Sequence, residues 1–196
     1  MDEPYAAICG ITEDEILTQM SDDLNLLAAR MKLPRVEVLE KLKDNYDGYH
    51  FTWPSPDIFN PFSLLNAFAD GKMDSYWFGS GTPTYLLEML NKFGVLPSKI
   101  GGTEAVAADF DAPTEHMTGI TPLLYQSGYI TIKDCDTQFG IYTLDIPNQE
   151  VRIGLMRSLI PSYITRDTLT TNTTVVNLAR ALNRDDMDGA LRLLQE

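Results

Sequence analysis

The residues best suited to chemistry are few. The chain has two histidines, His50 and His116, and two cysteines, Cys9 and Cys135. His50 stands in an aromatic stretch, Tyr46-Asp47-Gly48-Tyr49-His50-Phe51. An imidazole titrates near neutrality and can act as a general acid or base. The plainer reading is a partly buried histidine in a turn, because no serine or cysteine with a plausible base stands out. Pro56-Asp57 followed by Asp70-Gly71-Lys72 has the look of a PD…(D/E)xK nuclease signature. That chemistry needs the carboxylates and the lysine on adjacent strands around a metal. Here residues 60–68 read as helix between them, so the match is taken as coincidence and no catalytic or metal-binding residue is assigned. Gly79-Ser80-Gly81-Thr82-Pro83 leads into a helix N-terminus, where free N–H groups can hold an anion. Ser80, Gly81 and Thr82 are therefore the candidate anion-site residues; the alternative is that Ser80 and Thr82 simply cap the helix. The two cysteines are far apart, with no CxxC, and read as reduced thiols. Asp185, Asp186 and Asp188 lack EF-hand spacing and read as solvated surface. No phosphate-cradling GxxxxGK[ST], dinucleotide GxGxxG, zinc-binding HExxH or GxSxG elbow occurs.

The elements that would position these residues are mostly helical. Thr12 and Glu15 form a capping box, and Ile16, Met20, Leu24, Leu27 and Met31 recur on one face, predicting a helix over about 13–31. Pro34 restarts the chain; Val36, Leu39, Leu42 and Tyr46 stripe a second helix that ends at Gly48. Asn60 before Pro61 and Thr82 before Pro83 mark two further helix starts. Phe62, Leu64, Leu65 and Phe68 supply the apolar content of the first, and residues 85–90 that of the second. Residues 94–113, rich in glycine, alanine and small polar side chains, read as a connection with a little local structure. A helix over 115–126, a hairpin of strands at 129–133 and 141–144, and a helix over 151–164 follow. A last helix begins near 175. The fold class is mainly α with a small β-hairpin. A helical subdomain covers 1–95, a connection 96–111 and a winged-helix-like module 112–165; residues 166–196 are a linker and the start of a C-terminal helix.

Composition limits the function. The 196 residues are 44% hydrophobic and 22% charged, which suits an ordinary globular core. The net charge is −13 and neither half is basic, so phosphate backbones are repelled. The segment 118–129, the element of the module that would face a groove, has no lysine or arginine. Nucleic-acid binding is the weakest of the functions considered. No apolar run approaches the ~20 residues of a membrane span, and the acidic N-terminus does not resemble a signal peptide, so the expectation is a cytoplasmic protein with no membrane partner.

Several segments, in order, resemble one family. Ile8-Cys9-Gly10-Ile11-Thr12-Glu13-Asp14-Glu15 is similar to an ICGFTxxE stretch, and Tyr46-Asp47-Gly48-Tyr49-His50-Phe51 also matches. Asn60-Pro61-Phe62-Ser63-Leu64-Leu65 resembles NPFSLL, and Tyr76-Trp77-Phe78-Gly79-Ser80-Gly81-Thr82-Pro83 resembles YWFxSGTP. Residues 124–133 resemble LYQxGYLTIK, and Pro147-Asn148-Gln149-Glu150-Val151-Arg152 resembles PNxEVR. These are elements of bacterial AAA-ATPase-like proteins that carry a PD-(D/E)XK nuclease-like domain at the C-terminus. Ile11 and Gly79 depart from the family's usual Phe and Glu.

The resemblance implies a P-loop core before residue 1 and the nuclease-like domain after residue 196. ATP and magnesium would belong to the full-length protein. The remainder of the same polypeptide would be the partner, and neither the Walker residues nor the nuclease carboxylates carry over to any position here. The chain would then be a non-catalytic lid or connector coupling a nucleotide-binding core to a C-terminal effector, with no cofactor and no enzymatic activity of its own. The alternative is a protein-interaction module that binds no nucleotide. The aromatic motifs also have a packing reading, in which Trp77 anchors the helix after Pro83 against the helix that starts at Pro61.

Overall fold

The computed structural model describes residues 6–77, 84–96, 99–113, 117–163, 173, 176 and 177. The chain divides into two units, Met1–Leu155 and Met156–Glu196. In the second, the described residues are the remainder of one helix and the helical positions Thr173, Val176 and Asn177.

Four helices begin the first unit: α1 (Glu13–Thr18), α2 (Ser21–Met31), α3 (Arg35–Tyr46) and α4 (Pro61–Asp70). Thr12 and Glu15 close the expected capping box, with Thr12 N–H donating to Glu15 Oε2 at 2.8 Å. The single helix expected over 13–31 is instead two. Gln19 caps α1, and Met20 leaves helical geometry at φ −114°, ψ 23° before α2 starts. Ser21-Asp22-Asp23 suits a helix start better than an interior, since short polar side chains compete with helical hydrogen bonds and acids favour the N-terminal turn. Ile16 and Leu24 are both fully buried, so the apolar stripe runs across the break and conceals it.

The stripe of α3 is real but begins later than expected. Val38, Leu39, Leu42 and Tyr46 are buried, while Val36 is 72% exposed. Asn60 caps α4 as expected, its side chain accepting from the N–H groups of Phe62 and Ser63. On α4, Leu64, Ala67 and Phe68 turn inward, whereas Phe62 and Leu65 are exposed. The buried hydrophobic side chains of α3 and α4, with Leu27 and Phe59, form one apolar core.

The rest of the first unit holds α5 (Thr84–Phe93), β1 (Thr103–Val106), α6 (Ala107–Phe110), α7 (Thr121–Gln126), β2 (Thr131–Asp136), β3 (Ile141–Asp145) and the opening of α8 (Gln149–Tyr163). The fold is thus mainly α with a small sheet, but the sheet has three antiparallel strands in the order β1-β3-β2. The third strand comes from the expected connection over 96–111, which also supplies α6. Its four residues find their partner, β3, far along the chain, with Thr103 opposite Leu144 and Val106 opposite Ile141. No local signal could have revealed that pairing. Of the helix expected over 115–126, residues 121–126 form α7 and 117–120 are not helical, with Pro122 in the first turn, where proline is tolerated; residues 114–116 lie outside the described residues. The hairpin strands are longer than read, with β2 reaching Asp136 past a bulge between Ile132 and Asp134. Phe110 joins the pieces, its ring 4.7 Å from Tyr125 of α7 and 5.3 Å from Tyr142 of β3. The start expected at Thr82 and most of the last helix lie outside the described residues.

Candidate functional site

Polar side chains converge where the four-helix part meets the sheet. Helix α3 ends at Tyr46, and the chain runs on through Asp47, Gly48, Tyr49 and His50 as a short strap. The strap is pinned on one side by a bridge between Tyr49 and Ile58, with N···O distances of 3.3 and 3.2 Å. On the other side it meets β2 and the approach to α8. Asn148 Nδ2 donates to the carbonyl of Asp47 at 2.9 Å. Lys133 Nζ donates to the carbonyls of Gly48 at 2.6 Å and Pro147 at 3.1 Å. Thr131 Oγ1 accepts from His50 N–H at 2.8 Å and donates to His50 O at 2.7 Å.

Gly48 is required where it stands. Its φ is +90°, which disfavours any side chain, and a Cβ there would lie 2.6 Å from Pro147 O and 2.7 Å from Lys133 Nζ. The YDGYHF motif therefore lets a cationic side chain reach bare backbone.

A second node sits on α8. Asn148 caps this helix, accepting from Val151 N–H at 3.1 Å. Two residues on, Glu150 is buried, and its carboxylate accepts from Ser63 Oγ of α4 at 2.7 Å and from Trp77 N–H at 2.9 Å. The Trp77 ring meets Tyr129 at 5.1 Å, edge to face. The tryptophan thus has a partner beside β2, a contact that the expected helix-to-helix packing did not include. One carboxylate of the PNxEVR stretch ties together the NPFSLL and YWF stretches.

Burial sets the electrostatics. It pushes Asp47 up to about 6, with Asp57 adding to the rise and the Gly48 N–H opposing it. It lowers His50, against Asp57, whose carboxylate lies 3.5 Å from Nε2 and favours the charged ring; Lys133 lowers it further. Lys133 is itself lowered by burial, opposed by Asp57, Asp47 and Asp145. Burial raises Glu150, opposed by its bonds to Ser63 and Trp77. Beside the strap lies a cleft of about 340 Å³ whose lining includes Asp44, Asp47, Asp57, Lys43 and Arg152. Lys43 pairs with Glu13 at 2.9 Å, and Arg152 reaches Asp145 at 4.0 Å.

This arrangement can exchange protons and fix geometry. His50 with Asp57 has the form of an imidazole oriented by a carboxylate. The neighbouring hydroxyl, Thr131 Oγ1, is committed to the main chain of His50. A triphosphate does not fit the cleft, because three aspartates line it and its two cations already face acids.

The described residues singled out in the sequence each have separate partners. Ser80, Gly81 and Thr82 lie outside the described residues. Asp57 faces His50, Asp70 accepts from Tyr76 Oη at 3.2 Å, and Lys72 pairs with Asp74 at 2.8 Å, with α4 intervening. Among the described residues no three His, Cys, Asp or Glu side chains are grouped to hold a metal ion. Asp47, Lys133, Asn148 and Glu150 were not singled out as a site. Their one sequence signal was membership of the matched stretches.

No protein-family profile matches the chain. No solved structure matches it. Among curated proteins it is similar to an uncharacterised protein in the vnfD 5′ region of Azotobacter chroococcum mcd 1, with 30% identity over 173 residues. The match covers 84% of this chain and 30% of that relative, so the chain spans about a third of the relative's length.

Proposed function

We propose that this chain is a non-catalytic connector within a longer AAA-ATPase-like polypeptide, transmitting the state of a nucleotide-binding core to a C-terminal effector. The observation that carries this reading is the joint itself. The side chains of Asn148, Glu150, Lys133 and Thr131 are spent on holding two parts of the chain in one orientation, with little left over for a substrate. A connector needs such a fixed joint, since hydrogen-bonded networks specify a geometry that apolar packing leaves adjustable. The relative's greater length is consistent with further domains. ATP and magnesium would be held there, by a P-loop that this chain lacks.

We read the segment from α5 to β3 as winged-helix-like, a module that begins before the expected residue 112. The order α5-β1-α6-α7-β2-β3 with sheet order β1-β3-β2 supports that reading. DNA binding is the weaker use for it, because α7 has no cation and Lys133 is held by two carbonyls. The interaction-module alternative draws on α4, where Phe62 and Leu65 are 55% and 49% exposed on a helix that otherwise packs inward. Among the described residues no helix is long and apolar enough to cross a membrane.

The test uses the longer protein. Lys133→Met should leave nucleotide binding intact and uncouple the effector's output from nucleotide state. Unchanged coupling in that variant would overturn the connector reading, as would ATP hydrolysis by the present chain that survives rigorous purification.

A further inference from the structure

Of the four residues after α3, three are held through main-chain atoms by the sheet or the start of α8: Asn148 holds the carbonyl of Asp47, Lys133 that of Gly48, and Thr131 both main-chain groups of His50. Two side chains of the same four, Asp47 and His50, are 6% exposed. Each has a buried atom with no hydrogen-bond partner, Asp47 Oδ1 and His50 Nδ1. Such an atom is costly, so the protonation state of each side chain bears on whether the strap stays seated. We propose that the strap is a proton-sensitive joint: a proton taken up by His50 favours its release from the sheet, and a proton taken up by Asp47 favours its staying in place.

The groups around the pair set both signs. Toward His50 stand Asp57, which stabilises the imidazolium at 3.5 Å, and Lys133 on β2, which opposes it. The Trp53 ring lies 5.0 Å away. The main chains of Ser55 and Gly48 also favour the imidazolium, but burial dominates, and Nδ1 is buried without a hydrogen bond. The seated strap therefore binds a proton on His50 less readily than the released one. Seating from this group weakens as pH falls below the ordinary histidine range. Toward Asp47 stand Asp57 and Glu13 of α1, which favour the neutral acid, and Lys43 of α3, which favours the anion. Asp145 on β3 reaches the same cluster through Lys133. The seated strap takes up a proton on Asp47 at about pH 6, well above an ordinary aspartate, so seating from this group strengthens as pH falls through that value. In the intact chain the two contributions oppose each other.

Separating them is the test. Amide hydrogen exchange at His50, whose N–H is held by Thr131, is followed on the chain between about pH 7.5 and about pH 5, corrected for intrinsic rates. Asp47→Asn should lose about tenfold more protection on acidification than the unmodified chain, the equivalent of one pKa unit. His50→Gln should gain protection over the same range. The proposal is overturned if Asp47→Asn is no steeper than the parent, or if His50→Gln still loses protection. Should the glutamine variant not fold, the His50 ring Cε1–H shift in the Asp47→Asn chain serves instead. A midpoint shared by that shift and the loss of protection supports the joint, and separate midpoints overturn it. The readout is local to this chain, so it stands or falls apart from the connector reading, which is read in the longer protein.

Discussion

The helical bundle and the joint beside it are buried to similar extents, yet they are built from opposite materials. In the bundle, Ile16, Leu24, Val38, Leu42 and Phe59 are at or near zero exposure and carry no polar atom on the side chain. In the joint, Asp47, His50, Thr131, Asn148 and Glu150 are buried within a few residues of one another's partners, and most bond to groups more than 80 residues away in sequence. Apolar burial contributes stability in proportion to area and tolerates reorientation. A buried hydrogen-bond network contributes less net stability but penalises every geometry except one. The difference teaches where each property resides: the bundle keeps the chain folded, and the joint fixes how the sheet is held.

The comparison can be broken most easily from the bundle side. Phe59→Ala empties a fully buried site and should cost about 3–5 kcal/mol, read by urea or thermal unfolding. A loss below that of the joint variants would mean that the network, not the core, dominates stability. Glu150→Ala comes next. It leaves Ser63 Oγ and Trp77 N–H without their acceptor, and should cost about 1–3 kcal/mol for the unsatisfied groups. It should also disturb Trp77 against Tyr129, so tryptophan emission should shift at temperatures where the far-ultraviolet helix signal is unchanged. Simultaneous loss of both signals would merge the two regions into one cooperative unit. The smallest effect is expected from Asn60→Ala, which removes one cap of α4 and should cost about 1 kcal/mol in the same unfolding experiment. A value several times larger would show that the start of α4 matters to the joint as well as to the helix.

What could be read in advance follows the reach of each interaction. The Thr12–Glu15 box spans three residues, and the Asn60 cap reaches two and three residues on, so both were visible in the sequence. The inward face of α3 was visible because its period is local. The break at Met20 was not, since a two-residue interruption leaves the apolar period in phase. Strand β1 was hidden for a different reason: its four residues acquire a β role only when β3 lies beside them. The candidate site was the least visible part. Glu150 looks like any acid in a first helical turn until Ser63, 87 positions away, is brought to it. Lys133 looks like a solvated hairpin cation until Gly48, 85 positions away, offers a carbonyl with no side chain in front of it.

Local sequence alone settled the starts of α1, α3 and α4, the inward face of α3 from Leu39 to Tyr46, the acidic balance that disfavours phosphate, and a mainly helical fold with a small sheet. These depend on neighbours within a few residues or on sums over the chain, and neither requires knowing where distant segments go. The third strand, the pairing of His50 with Asp57, the raised Asp47 and the two nodes on Lys133 and Glu150 were decided by tertiary structure alone. A hydrogen bond or a shifted pKa depends on distance and desolvation, and both are set only when the helical part and the sheet close on the same few residues.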